Sequence, residues 1–284
     1  MNSLAAGGQH LMMESTMSTE SKLQDPTQDL LVERIGATMR VTINRPQSRN
    51  AMTFAMYERL AQTIAQVNED PSIRVMLIIG AGGKAFAAGT DISEFRAFTS
   101  AQHAIDYERR IGEILDVLEG CRVPTIAAIA GACTGGGLGI AACCDLRIAT
   151  ADARFGLPIA RTLGNCLSLE SHVRFAAVIG PARVKDMVMT ARLFDAQEMR
   201  QAGMLSEIVD DYAALEQRSL ALAETVAGHA PLTMRVTKQA LLALRAPFDP
   251  ETDERLILSA YLSKDFAEGV DAFLNKRAPV WTGS

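Results

Sequence analysis

Apolar positions along the chain fall into two patterns that alternate over its first two thirds. Val75 to Ile79 and Thr125 to Ala130 are short unbroken apolar runs, the pattern of strands buried on both faces. Phe54 to Val67, carrying Leu60, Ile64 and Val67, and Ala101 to Leu118, carrying Ile105, Ile111, Ile114 and Leu118, repeat at three and four residues and predict amphipathic helices. Leu31 to Ile35 and Ala37 to Ile43 predict two strands around Gly36. After Leu167 the pattern turns helical, over Glu170–Ile179, Ala182–Met189, Ala196–Ala202, Ala213–Ala227, Leu232–Leu244 and Glu251–Asn275, with Gly and Pro between. Strand-strand-helix units followed by helices predict an α/β core over 28–210 and a C-terminal helical region over 211–284. Residues 1–27 are rich in Ser, Gly, Met, Gln and Glu without steady periodicity, which predicts a flexible leader.

Two of the buried strands run into small-residue loops. Thr125 to Ala130 is followed by Gly135, Gly136 and Gly137 and then by a helical segment from Leu138 to Cys144. A glycine cluster lets a ligand approach the backbone closely, and the first N–H groups of a helix lack internal partners, so they suit an anion or a developing oxyanion. A plain strand-to-helix turn would give the same three glycines. Ala85 to Asp91, AFAAGTD, is the second such loop, and the two are expected to face each other. Asp91 follows a turn and precedes a helical segment, the place of an aspartate that caps free N–H groups.

Composition narrows the classes. With 284 residues, 48% of them hydrophobic, the chain can bury a sizeable core. A net charge of −5 with both signs scattered argues against a nucleic-acid surface. The absence of a long apolar run argues against a membrane span, and a cytoplasmic location is expected. Cys121, Cys133, Cys143, Cys144 and Cys166 lack metal-like spacing and read as buried free thiols. His10, His103, His172 and His229 show no paired spacing, so no metal site is expected.

From Leu31 onward the chain resembles the crotonase (enoyl-CoA hydratase/isomerase) superfamily. The resemblance rests on INRPQSRNAM at Ile43–Met52, KAFAAGTDI at Lys84–Ile92, AGACTGGGLGIAACCD at Ala130–Asp145, FGLP at Phe155–Pro158 and DAFLNKRAP at Asp271–Pro279, in that order and spacing. It implies a crotonase-like spiral of repeated β-β-α units with a C-terminal helical trimerisation region, assembled as a homotrimer or a dimer of trimers. It also implies a coenzyme A thioester as substrate or ligand, with no cofactor. Two backbone N–H groups, carried over to Ala88 and Gly136, would hold the thioester oxygen. Arg49, Ala51, Ala87, Gly89, Thr90 and Asp91 would border the CoA, and Phe273 and Lys276 would reach the nucleotide end of CoA held by a neighbouring subunit.

At two places the chain departs from the pattern. Hydratases of the family carry glutamates where this chain has Gly139 and Ile159, and general acid–base action is worth roughly 10² to 10⁴ in rate per group. The loop after Ile159 offers substitutes: Arg161 for a carboxylate on the acyl group, Asn165 to orient water, Cys166 as nucleophile and Glu170 as base. An Arg in a subunit contact, an Asn in a turn, a buried thiol and a solvated Glu are the structural alternatives. His103, Tyr107 and Glu113 are held in reserve. The expected activity is that of an acyl-CoA lyase or isomerase acting through a thioester enolate. The alternatives are a decarboxylase, a C–C lyase, a thioesterase or a non-catalytic acyl-CoA-binding protein.

Overall fold

The computed structural model describes residues 26–97, 99–245 and 263–284. A short helix, α1 (Pro26–Asp29), enters the antiparallel hairpin of β1 (Leu30–Ile35) and β2 (Thr38–Ile43). Beyond a 3-10 turn at Pro46–Ser48, the Thr53 hydroxyl accepts the Met56 N–H and starts α2 (Phe54–Glu69), which buries Met56, Tyr57, Leu60, Ile64 and Val67.

Three strand-strand-helix units follow. The first is β3 (Val75–Gly80), β4 (Ala85–Ala87) and α3 (Ala101–Glu119), with a 3-10 segment at Ile92–Ala97 before the helix. The second is β5 (Thr125–Ile129), β6 (Ala132–Thr134) and α4 (Gly136–Cys143). The third is β7 (Leu146–Thr150), β8 (Arg154–Gly156) and α5 (Ile159–Thr162). The chain continues through α6 (Leu169–Ile179), α7 (Pro181–Met189), β9 (Phe194–Asp195), α8 (Ala196–Gln201), β10 (Glu207–Val209), α9 (Tyr212–Ala227), α10 (Pro231–Ala243) and α11 (Lys264–Leu274).

Each unit divides its strands between two sheets. β3, β5 and β7 enter a six-stranded sheet of order β1-β2-β3-β5-β7-β10, parallel except at β1/β2, whereas β4, β6 and β8 line up in a four-stranded sheet that ends on β9. This is the spiral of β-β-α units. Alternate residues of β3 serve two cores, which explains its unbroken apolar run. Met76 and Ile78 pack with Tyr57, Phe86 and Phe155, while Val75, Leu77 and Ile79 pack with Leu215, Ala223 and Val226 of α9. Residues 1–25 of the expected leader, and the first part of the helix expected over Glu251–Asn275, lie outside the described residues. Among the described residues no helix is long and apolar enough to cross a membrane.

Candidate active site

The two small-residue loops meet where the first and second strands of the four-stranded sheet, β4 and β6, give way to helical turns. Gly135, with φ +52, is the N-cap of α4, so the helix begins at Gly136, two residues before the sequence pattern places it. A Cβ placed on Gly89 would lie 3.6 Å from the Thr134 carbonyl oxygen and 3.9 Å from the Gly136 nitrogen. The AGTD loop therefore rests on the start of α4.

Met52, just before α2, fixes that loop from the other side. Met52 donates its N–H to the Gly89 carbonyl at 2.8 Å and accepts the Asp91 N–H at 2.8 Å, a parallel bridge opposite Thr90. In such a bridge the residue between the two contacts turns its own N–H and C=O away from the partner. Thr90 accordingly presents its backbone groups away from Met52, and its Oγ1 lies 3.1 Å from where a Cβ on Gly136 would sit.

The expectation for Ala88 is corrected here. Its N–H donates to the Arg49 carbonyl at 3.1 Å, so that donor is spent inside the protein, whereas, two residues on, the Thr90 hydroxyl lies toward Gly136. Asp91 has the capping role expected of it: one carboxylate oxygen accepts the Ser93 N–H and hydroxyl at 3.1 and 2.8 Å, and the other accepts Arg45 at 2.9 Å. Burial raises the Asp91 pKa, but the bonds from Ser93 and Arg45 outweigh it and hold the carboxyl below its ordinary value. Arg45, which the sequence reading passed over, also donates to the Ala51 carbonyl at 2.7 Å and so ties the segment before α2 to the AGTD loop. Arg49 is exposed, in a left-handed conformation at φ 50, while Ala51 is half-buried and Ala87 buried in β4.

Three hydroxyl groups converge behind Thr90. Tyr57 Oη of α2 lies 3.2 Å from Thr90 Oγ1, which is 3.1 Å from Tyr107 Oη of α3. Phe54 packs on the Tyr107 ring at 5.5 Å. Both tyrosines line a cleft of about 380 Å³ between α2 and α3, with Phe54, Ile111 and Ile114 as further apolar walls.

The usual glutamate positions are apolar. A Cβ on buried Gly139 would meet Leu115 Cδ1 at 3.5 Å, and Ile159 is buried at the start of α5. Arg161, Asn165, Cys166 and Glu170 are all exposed, which corrects the reading of Cys166 as a buried thiol; the other four cysteines are buried. Burial pushes the thiol of Cys144 up to about 12 and those of Cys133 and Cys143 well above the ordinary value. Of the candidates in that loop, Glu170 stands against α3, its Oε2 3.2 Å from where a Cβ on Gly112 would be. One turn earlier on α3, Glu108 is half-buried beside the Ser168 backbone N–H; burial raises its pKa, opposed by that hydrogen bond. Glu108 was not singled out from sequence, because an acid next to a tyrosine on a long polar helix carries no burial signal.

Glu113 is exposed and paired with Arg110 at 3.0 Å, and His103 Nδ1 accepts the Thr99 N–H at 3.2 Å. Lys276 is exposed at φ 51, and Phe273 lies in α11 with its side chain outside the described residues. Among the described residues no group of His, Cys, Asp or Glu could hold a metal ion.

Comparison with known proteins agrees with this architecture. A family profile described as enoyl-CoA hydratase/isomerase matches residues 33–284. A mevalonyl-coenzyme A hydratase of Beauveria bassiana is 34% identical over 256 residues, covering 86% of this chain and 91% of the relative. A 2,3-dehydroadipyl-CoA hydratase of Escherichia coli is 33% identical over 260 residues, covering 90% and 99%. The crystal structure of an enoyl-CoA hydratase/carnithine racemase from Magnetospirillum magneticum superimposes with a TM-score of 0.84 at 34% identity, covering 90% of this chain and 96% of that one. With the spiral of β-β-α units and the glycine start of α4 already in place, the chain belongs to the enoyl-CoA hydratase/isomerase (crotonase) superfamily and is an acyl-CoA-processing enzyme of that family.

Proposed function

We propose that the protein binds an acyl-CoA with the thioester oxygen between the backbone N–H groups of Thr90 and Gly136, and that it stabilises the enolate formed beside that oxygen. The observation carrying this reading is the packing of the AGTD loop on the first turn of α4, which sets the two residues side by side. Fixed amide donors in a dry site are worth about 2.7 to 4 kcal/mol each toward a developing oxyanion. The apolar cleft between α2 and α3 receives the acyl chain. Arg49, Ala51 and the Ala87 to Asp91 loop border the CoA, and Lys276 and Phe273 serve the nucleotide of a neighbouring subunit in a trimer or hexamer.

With Gly139 and Ile159 unable to act on water, the reaction best supported is proton transfer next to the thioester, a shift of the double bond, with Glu108 carrying the proton. A carboxyl whose pKa is raised by burial is suited to that task near neutral pH. Hydration is the second reading, favoured by the names of the relatives. A 3-enoyl-CoA and a 2-enoyl-CoA separate the two. Isomerisation creates the conjugated absorbance from the first, and hydration destroys that of the second. Rapid loss of 2-enoyl absorbance without isomerisation would reject the proton-shift reading. Absence of saturable binding of a nonreactive acyl-CoA in calorimetry would reject the acyl-CoA site as a whole.

A further inference from the structure

The space around the two proposed amide donors is shared with a buried phenol. Tyr57 is 1% exposed, and among the described residues its hydroxyl has one hydrogen-bond partner, Thr90 Oγ1. A hydroxyl in a core costs about 1 to 3 kcal/mol when poorly satisfied, and a phenylalanine would fill the same volume without that cost. The location of the oxygen gives it a use. A Cβ built on Gly136 would collide with the Tyr57 hydroxyl, so the phenol occupies the volume in which a side chain of residue 136 would begin. Gly136 is not among the positive-φ glycines, so glycine is required there for room and not for backbone conformation.

Three hydroxyl groups joined by two hydrogen bonds have three hydrogens and use two of them. Either oxygen can donate in each bond; run in the order Tyr107 to Thr90 to Tyr57, the bonds leave the third hydrogen on Tyr57, beside the first residue of α4. Resting on the acyl-CoA reading above, we infer that Tyr57 Oη–H is a third hydrogen-bond donor to the thioester oxygen, held in that direction by Tyr107 through Thr90. Three donors then converge on the charge that an enolate develops: two amides fixed by the backbone and one phenol fixed by the core. Burial, and secondarily the neighbouring Tyr107, push the Tyr57 phenol well above its ordinary value, so it remains an intact O–H donor throughout the neutral range. The ligand class follows: a thioester whose reaction places negative charge on its oxygen.

The test uses a cinnamoyl-CoA with a para dimethylamino group, whose absorbance moves to the red as its carbonyl oxygen is polarised. Saturable binding to the native protein with a red shift is expected. Tyr57→Phe keeps the ring and is expected to bind the probe with similar affinity, to show a smaller shift, and to lower kcat by about 10²-fold with little change in KM. A folded Tyr57→Phe with the full native shift overturns the inference. Should that variant be unstable, Thr90→Val gives the same comparison, since it cuts the hydroxyl chain and retains both amides. A smaller shift is expected there too, because the phenol is no longer held toward the oxygen, and an unchanged one overturns the orientation of Tyr57 through Thr90. Failure of the native protein to bind the probe would instead remove the acyl-CoA reading, leaving the two failures distinct.

Discussion

The N–H of Ala88 donates to the carbonyl oxygen of Arg49 at 3.1 Å, and this bond takes the Ala88 donor away from any ligand. The carbonyl is offered by a turn in which Arg49 and Asn50 both have positive φ, at 50 and 57. Asn50 holds the turn. Its fully buried side chain accepts the Arg45 N–H at 2.9 Å and donates to the carbonyls of Ala81 and Ala85 at 3.0 and 2.7 Å. Asn50→Ala strands those groups and loses the residue most tolerant of this conformation, so it is expected to destabilise the protein by about 1 to 3 kcal/mol. Acyl-CoA turnover is expected to fall with it, because the loop presenting Thr90 loses its anchor. Urea unfolding that leaves Asn50→Ala as stable as the native chain would show that the turn stands without it.

Gly136 and Tyr57 compete for one volume, and this gives a coupling that can be measured. Gly136→Ala puts a methyl group against the Tyr57 hydroxyl and Thr90 Oγ1, and overpacking of this kind costs typically about 1 to 3 kcal/mol. Tyr57→Phe removes the oxygen in the way, so the double variant is expected to regain part of the stability lost by Gly136→Ala. Strictly additive unfolding free energies in the cycle would mean that the two residues do not share that space.

The vacated glutamate positions lead to a gain-of-function expectation. A Cβ on Gly139 makes an ordinary contact with Leu115, but a full glutamate side chain must share the volume that Leu115 fills. Gly139→Glu and Ile159→Glu, combined with Leu115→Ala to make room, are expected to raise the hydration of a 2-enoyl-CoA by at least about tenfold, toward the 10² to 10⁴ ascribed to a positioned acid–base group. Loss of conjugated absorbance measures it. A folded triple variant no faster than the native protein would mean that the oxygen site and the acyl chain are not aligned for hydration.

What could be read from the sequence depended on whether a feature was local. The strands at Val75 and Thr125 were legible because both of their faces are buried, which leaves an unbroken apolar run. The partner strands β4, β6 and β8 have three residues each, too few to show a period, so the β-β-α repeat emerges from strand pairing and not from composition. Gly136 was visible through its two glycine neighbours. That the Ala88 N–H is taken up inside the protein could not be read from the sequence, because the direction of an N–H in a short extended loop is set by its partners, here Met52 and Arg49, both distant in sequence. Tyr57 looked like any apolar residue of an amphipathic helix, since nothing near it in the chain announces that its oxygen meets Thr90, 33 residues away.

Glu108 links stability and activity to pH. Burial raises its pKa and the Ser168 N–H opposes the rise without cancelling it, so the folded protein holds a proton that the unfolded chain releases at lower pH. Between the ordinary carboxylate value and the raised one the native state binds more protons, and stability therefore falls as pH rises through that window. Below the ordinary value the penalty is absent, because both states are protonated. Glu108→Gln cannot ionise, so it is expected to be more stable than the native chain at neutral pH and to lose that advantage in acid. Its double-bond isomerisation is expected to fall by about 10² to 10⁴, since the amide cannot carry a proton. Thermal unfolding over a pH series, read beside the rate with a 3-enoyl-CoA, checks both. Native-like isomerisation in Glu108→Gln would assign the proton to another group, and a pH-independent stability difference would mean that its carboxyl is solvated as in the unfolded chain.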